Sequence, residues 1–206
     1  MKEFDRKEHW ENVYENKGID EVSWYQPTPE TSLNIIEELN LSKKSKIIDI
    51  GGGGSFLVDN LLELGYTDIT VLDISEKAID KVKNRLGEKS NLVNWIVSDI
   101  VSFKPNESYD VWHDRAVFHF LTNEFDIKMY KELVSNSINS NGNFILGTFS
   151  ENGPEKCSGI EVTQYSEGSM REAFGNSFVT QECFNENHKT PFETIQKFTF
   201  CTFKRK

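Results

Sequence analysis

Short apolar runs alternate with amphipathic stretches along this chain, and that alternation predicts the elements. Lys46-Ile47-Ile48-Asp49-Ile50 has the near-continuous hydrophobicity of a strand buried on both faces. Gly51 to Gly54 break it, and Ser55 is placed to cap a helix whose apolar face is Leu57, Leu61, Leu62 and Leu64, closed by Gly65. The cycle then repeats. Ile69 to Leu72 predicts a strand ending at Asp73, and Ser75 caps a helix bearing Ala78, Ile79, Val82 and Leu86 that Gly87 ends. Trp95 to Val97 predicts a third strand ending at Asp99, and Tyr109 to His113 a fourth. A helix from about Glu124 carries Ile127, Tyr130, Leu133, Val134 and Ile138, and Asn141-Gly142 turns into a fifth strand, Phe144 to Phe149.

Both ends of the chain differ from this middle. The opening segment, with Trp10, Tyr14, Trp24 and Tyr25, reads as a short helix and a loop ending at Pro27 and Pro29; Pro29 then starts a helix with Leu33, Ile36 and Leu39 at helical spacing. Towards the C-terminus come a polar loop with Pro154, Cys157 and Gly159 and a short helix around Met170 to Phe174. Two last strands follow, Phe178 to Phe184 and Thr194 to Phe203, too closely connected to be parallel. The expected fold is therefore α/β: a doubly wound, mostly parallel sheet of seven strands with one antiparallel strand near an edge and helices on both faces. The whole chain, 206 residues, reads as one domain, with 1–28 a lid segment and 29–206 the core.

Charge and composition narrow the partners. The net charge is −10, with no basic stripe, which argues against a phosphate backbone as partner. Lys204-Arg205-Lys206 is read as a solvated tail. The charged opening, Met1 to Glu8, lacks the apolar centre of a signal peptide, and no apolar run approaches a membrane span. The three cysteines, Cys157, Cys183 and Cys201, form no C-x-x-C pair; they predict neither a disulfide framework nor a zinc site and are read as buried structural residues. A reducing, cytoplasmic location and a monomer or weak dimer without nucleic-acid or membrane partners are expected.

The chemistry concentrates where strands end. Ile48-Asp49-Ile50-Gly51-Gly52-Gly53-Gly54-Ser55 places a glycine loop between strand and helix, where a ligand can approach the backbone and helix-start amides. In an open α/β sheet that is where small molecules bind. The dinucleotide fingerprint G-x-G-x-x-G fails, because its last glycine falls on Phe56, and no P-loop lysine follows. Asp49, just before the first glycine, suits an amino or sulfonium group better than a pyrophosphate. Asp73 stands at the ribose-binding distance after the loop. Asp99, with Ile100 beside it, can accept from an adenine amino group; taken singly, it is equally a turn residue.

With these three features in order, the sequence resembles the class I S-adenosylmethionine-dependent methyltransferases from about Trp10 to Phe203. The resemblance implies S-adenosylmethionine as cofactor, leaving S-adenosylhomocysteine as product. It implies that Asp49, Gly51 and Gly53 face the methionine part, Asp73 the ribose, and Asp99 with Ile100 the adenine. Gly52, Ser55, Ile74, Asp114 and Arg115 complete the implied cofactor set, with Trp10 and Tyr14 as aromatic lid residues or, equally, helix packing. Ser55 stands where glycine is frequent. Asp114-Arg115-Ala116-Val117-Phe118 is similar to a segment of the thiol and thiopurine methyltransferases and of the protein-lysine methyltransferases acting on elongation factor or citrate synthase, with Ala116 in place of glycine.

The acceptor is less legible. A base is required only for a nucleophile protonated at neutral pH, and His119 and His113 are the candidates, with Asp114 able to hold cofactor or orient an amine. Each histidine reads more readily as a hydrogen-bonded structural residue. The expectation is methyl transfer to a small-molecule thiol or other heteroatom. The alternatives are a protein lysine, a nucleotide-binding oxidoreductase and a non-catalytic cofactor-binding domain. No metal is expected.

Overall fold

The computed structural model describes residues 4–206; Met1 to Glu3 of the charged opening lie outside the described residues. In chain order the elements are α1 (Arg6–Asn16), α2 (Glu30–Glu38), β1 (Lys46–Ile50), α3 (Leu57–Glu63), β2 (Asp68–Asp73), α4 (Glu76–Leu86), β3 (Val93–Val97), β4 (Tyr109–Arg115), α5 (Glu124–Ser137), β5 (Ile138–Phe149), β6 (Lys156–Cys157), β7 (Ile160–Glu161), α6 (Glu167–Phe174), β8 (Phe178–Lys189) and β9 (Ile195–Arg205). Seven strands form one sheet in the order β3-β2-β1-β4-β5-β9-β8, while β6 and β7 form a separate small hairpin. β1 to β5 pair in parallel, and β9 runs antiparallel to both neighbours, as expected.

Alternation along the strands feeds two cores. Ile48, Ile50, Trp112, Phe144 and Leu146 pack towards α5 and α6, against Tyr130, Val134, Met170 and Phe174. Ile47, Ile69, Val71, Val111 and Ile145 pack on the other face against Leu33, Ile36, Leu57, Leu61 and Val82 of α2, α3 and α4. Burial on both faces is why these strands read as continuous apolar runs.

Local chemistry placed several boundaries well. Ser75 caps α4 by accepting from the Ala78 N–H, and Gly65 leaves α3 at φ +85°. Other boundaries shift. Pro29 is the cap residue preceding α2, and Phe56 holds that position for α3 while the Ser55 hydroxyl accepts from the Leu57 N–H. α5 runs straight into β5, so Asn141-Gly142 is an irregularity within a long strand, where the β4–β5 register shifts. The C-terminus is no solvated tail: Arg205 lies in β9 and donates to the Ser177 carbonyl, and the Lys206 ammonium donates to Gly175.

The reading of the cysteines also needs correction. Cys183 on β8 and Cys201 on β9 stand directly opposite each other and form a disulfide. Register across two strands brings them within bonding reach, which linear spacing cannot reveal. Cys157 remains a free, buried thiol.

Candidate functional site

A cleft opens along the carboxyl ends of β1 to β4 and continues past β5 to β9. Its floor is the glycine loop. Gly51 has φ +70°, and a Cβ there would lie 2.2 Å from Val117 Cγ2, so the turn admits only glycine. Its N–H donates to the Leu72 carbonyl, tying the end of β1 to β2. A Cβ on Gly52 would approach Asp49 Oδ2 to 2.4 Å. The absent side chain leaves that carboxylate room against the loop backbone.

Asp49 is 2% exposed. Its Oδ1 lies 2.7 Å from His113 Nδ1, and His113 Nε2 lies 2.8 Å from the Ser32 hydroxyl. Oδ2 is buried with no hydrogen-bond partner among the described residues. A buried carboxylate oxygen left unpaired is costly unless a ligand supplies the donor. Asp73 accepts from the Gly53 N–H at 3.0 Å and the Ser75 N–H at 2.9 Å, each through a different oxygen. Burial pushes its carboxyl up to about 6, against those two bonds. Asp99 accepts from the Val101 N–H, Ile100 is buried beside it, and Ile74 joins both in the cleft lining.

The N-terminal segment roofs the cleft. Trp10 packs edge-on against Trp24 and Phe120, and the buried Tyr14 ring packs edge-on against Trp24. Polar ties fasten α1 at two points. Arg6 pairs with Asp99 at 3.4 Å and also with Asp126. Glu11 accepts from the Glu76 and Lys77 N–H groups and the Ser75 hydroxyl, at the positive start of α4. Partial burial works against ionisation of Glu11, but these bonds prevail and hold its carboxyl below the ordinary value.

The residues singled out in the sequence divide. Trp10, Tyr14, Asp49, Gly51, Ser55, Asp73, Ile74, Asp99, Ile100, His113 and Arg115 line the cleft. Gly52 and Gly53 form the loop behind it. Asp114 does not reach it: fully buried, it accepts from the Val117 and Phe118 N–H groups and the Tyr130 hydroxyl, fixing the exit of β4. His119 is also fully buried and outside the lining; its Nδ1 accepts from the Phe149 N–H, and burial, then Arg115, lowers its pKa to about 3. His113 has both ring nitrogens engaged, so it orients Asp49. Neither histidine presents a free ring nitrogen to the cleft.

Sequence reasoning passed over Arg6, Glu11, Gln26, Ser32, Gln196 and Phe198. The polar partners of Arg6, Glu11, Ser32 and Gln196 lie far along the chain, and no local motif marks any of the six. Cys157 reaches the cleft because Ser158 and Gly159, both at positive φ, make the tight turn between β6 and β7.

Comparison with known proteins agrees with this geometry. Residues 48–144 match a family described as a methyltransferase domain. The chain is 30% identical over 132 residues to the eEF1A lysine and N-terminal methyltransferase of Mus musculus, covering 62% of this chain and 18% of that protein. It is 32% identical over 109 residues to malonyl-[acyl-carrier protein] O-methyltransferase 2 of Ilyobacter polytropus, covering 52% and 41%. The matches thus span less than half the length of these relatives. Among solved structures, N-methyltransferase NodS from Bradyrhizobium japonicum, in complex with S-adenosylhomocysteine, superposes with a TM-score of 0.69 at 15% identity, covering 98% of this chain and 99% of that one. A protein solved in work on converting a disulfide into a thioacetal during echinomycin biosynthesis gives a TM-score of 0.77 at 17% identity, covering 97% and 92%. Residues 48–144 are thus similar to a methyltransferase domain, and the whole chain has the fold of these solved structures.

Proposed function

We propose that this protein transfers a methyl group from S-adenosylmethionine to a heteroatom of a small molecule. The observation that carries the reading is Asp49: a buried carboxylate, oriented by His113, with one oxygen unpaired above a glycine loop too tight for any side chain. An amino group of the cofactor's methionine part is the donor that oxygen lacks. Asp73 keeps lone pairs for the ribose hydroxyls, and Ile74, Asp99 and Ile100 border the place for adenine. When bound, S-adenosylmethionine supplies a methyl group on a sulfonium, activated for displacement.

The chain's own task is then to orient and to exclude water. Fixing the reacting partners is worth about 7–11 kcal/mol of barrier. The segment from Arg6 to residue 28 acts as the lid: Trp10, Tyr14 and Trp24 roof the cleft with aromatic faces, which favour a nearby cation by about 0.5–2 kcal/mol. With His113 and His119 occupied or remote, the acceptor arrives already unprotonated at the atom that reacts.

A protein-lysine acceptor is the second reading, favoured by the Mus musculus relative and by the net charge of −10, which suits a basic partner. Isothermal titration tests the donor half of the proposal. S-adenosylhomocysteine is expected to bind the wild type with micromolar affinity and to lose at least about tenfold in Asp73→Ala, with NADH silent as control. Absence of S-adenosylhomocysteine binding to the wild type would sink the reading.

A further inference from the structure

We infer that the half of the cleft beyond Asp49 is built for an acceptor that carries a carboxylate, held by Arg115. The inference rests on the donor reading above and names the substrate class of the same site.

The sheet order divides the cleft. Asp49, Asp73 and Asp99 stand at the ends of or just after β1, β2 and β3, on one side of it. Arg115 ends β4 and leans the other way, its guanidinium over the Phe198 ring of β9 at 4.6 Å from the centroid. Cys157 and Gln196 share that end of the lining, and both are neutral.

Arg115 has too few partners for a cation so enclosed. Nη1 reaches the Trp24 carbonyl at 3.5 Å, the outer limit of a hydrogen bond. Arg6, Arg85 and Arg171 each pair with a carboxylate, whereas none pairs with Arg115 among the described residues. Glu186 and Asp49 act on it only electrostatically, and burial, opposed by them, lowers its pKa to about 10. Nε and Nη2 have no hydrogen-bond partner among the described residues, and the residue lines the cleft. The remaining N–H donors therefore face a ligand.

Stacking on Phe198 leaves the edge of the guanidinium free, and that planar fork matches a carboxylate bidentately. Of the two cations lining the cleft, Arg6 is paired with Asp99, which leaves Arg115; one unpaired cation among three carboxylates suits a monoanion better than a phosphate dianion. A lysine ammonium entering here would meet like charge. This favours the small-molecule acceptor over the protein lysine.

The competing source of a carboxylate is the cofactor's own methionine part, and the test separates the two. The protein is first saturated with S-adenosylhomocysteine, then titrated with matched probes bearing a carboxylate, a carboxamide or an amine: benzoate, benzamide and benzylamine, and the phenylacetate and 3-mercaptopropionate series. Tryptophan fluorescence reports binding, since Trp10 and Trp24 line the cleft. In at least one series the carboxylate is expected to bind about tenfold or more tighter than its amide, with the amine weakest. Arg115→Gln removes that preference and Arg115→Lys keeps part of it, while S-adenosylhomocysteine affinity moves by less than about threefold. Circular dichroism verifies that both variants fold. Equal binding of carboxylate and amide in every series overturns the inference. So does an Arg115→Gln variant that loses S-adenosylhomocysteine as strongly as carboxylate, which would assign the residue to the donor. Failure of the wild type to bind S-adenosylhomocysteine appears before any probe is added and marks failure of the donor reading itself.

Discussion

In the proposed reading, Asp73 joins backbone to ligand. Its two oxygens already accept from the Gly53 and Ser75 N–H groups, and burial holds its carboxyl near 6 rather than the ordinary 3.8. The ionised form accepts from ribose hydroxyls, whereas the protonated form gives up one acceptor site to a proton. Affinity is therefore present above about 6 and falls as pH drops through that value. Between pH 7.5 and pH 5, S-adenosylhomocysteine affinity is expected to weaken by up to about tenfold, with Asp73→Asn weaker throughout but nearly flat. A wild-type profile as flat as the variant's would contradict this role. Ala116 shows the opposite bargain. It sits at φ +74°, where an L side chain is strained, and it occupies the position where the resembling subgroups carry glycine. The site retains that strain at the exit of β4, beside Arg115.

At the scale of elements, α1, the proposed lid, is held by polar groups at the ends of other elements. Glu11 caps α4 from outside, in addition to the Ser75 cap, and Arg6 bridges Asp99 to Asp126 of α5. Glu11→Ala removes three hydrogen bonds at a helix start. It is expected to weaken α1 docking by about 1–2 kcal/mol. Hydrogen exchange checks this: amides of residues 6–16 should exchange about 5- to 30-fold faster, with β1 and β4 unchanged. Unaltered exchange in α1 would mean that the aromatic contacts alone hold the lid. These ties also explain what the sequence could reveal. The strand at Lys46–Ile50, the Ser75 cap and Gly65 were legible because their determinants are neighbours in the chain. So were Asp49 and Asp73, since strand ends and a glycine loop mark themselves. Glu11, Arg6, Gln196 and the Cys183–Cys201 bond depend on partners far away in sequence or on strand register. The burial of Asp114 and His119 was not legible either, because Tyr130 and Phe149, far along the chain, hold them in the core.

For the whole molecule, the sheet order matters more than any single contact. Inserting β9 antiparallel between β5 and β8 brings Phe198 and Gln196 to the end of the cleft opposite Asp99, so the loops at β1 to β3 can serve one ligand and β4, β5 and β9 another. The described residues include no helix long and apolar enough to cross a membrane, and the two cores on either face of the sheet share every central strand. A ligand bound at the strand ends should therefore stabilise the fold as a unit. At a concentration about 100 times its dissociation constant, S-adenosylhomocysteine adds about 2.7 kcal/mol. For a chain of 206 residues that corresponds to a rise of about 5–10 °C in melting temperature. Gly52→Ala isolates the loop's part in this. The new Cβ would stand 2.4 Å from Asp49 Oδ2, where neither can keep its place. Val71 Cγ1 of the core would lie 3.0 Å from the same Cβ, so circular dichroism first verifies that the variant folds. Its ligand-induced rise should shrink to less than about 2 °C at the same concentration. A rise equal to that of the wild type would show that Asp49 can turn away without loss, and would remove the unpaired oxygen from the account of cofactor binding.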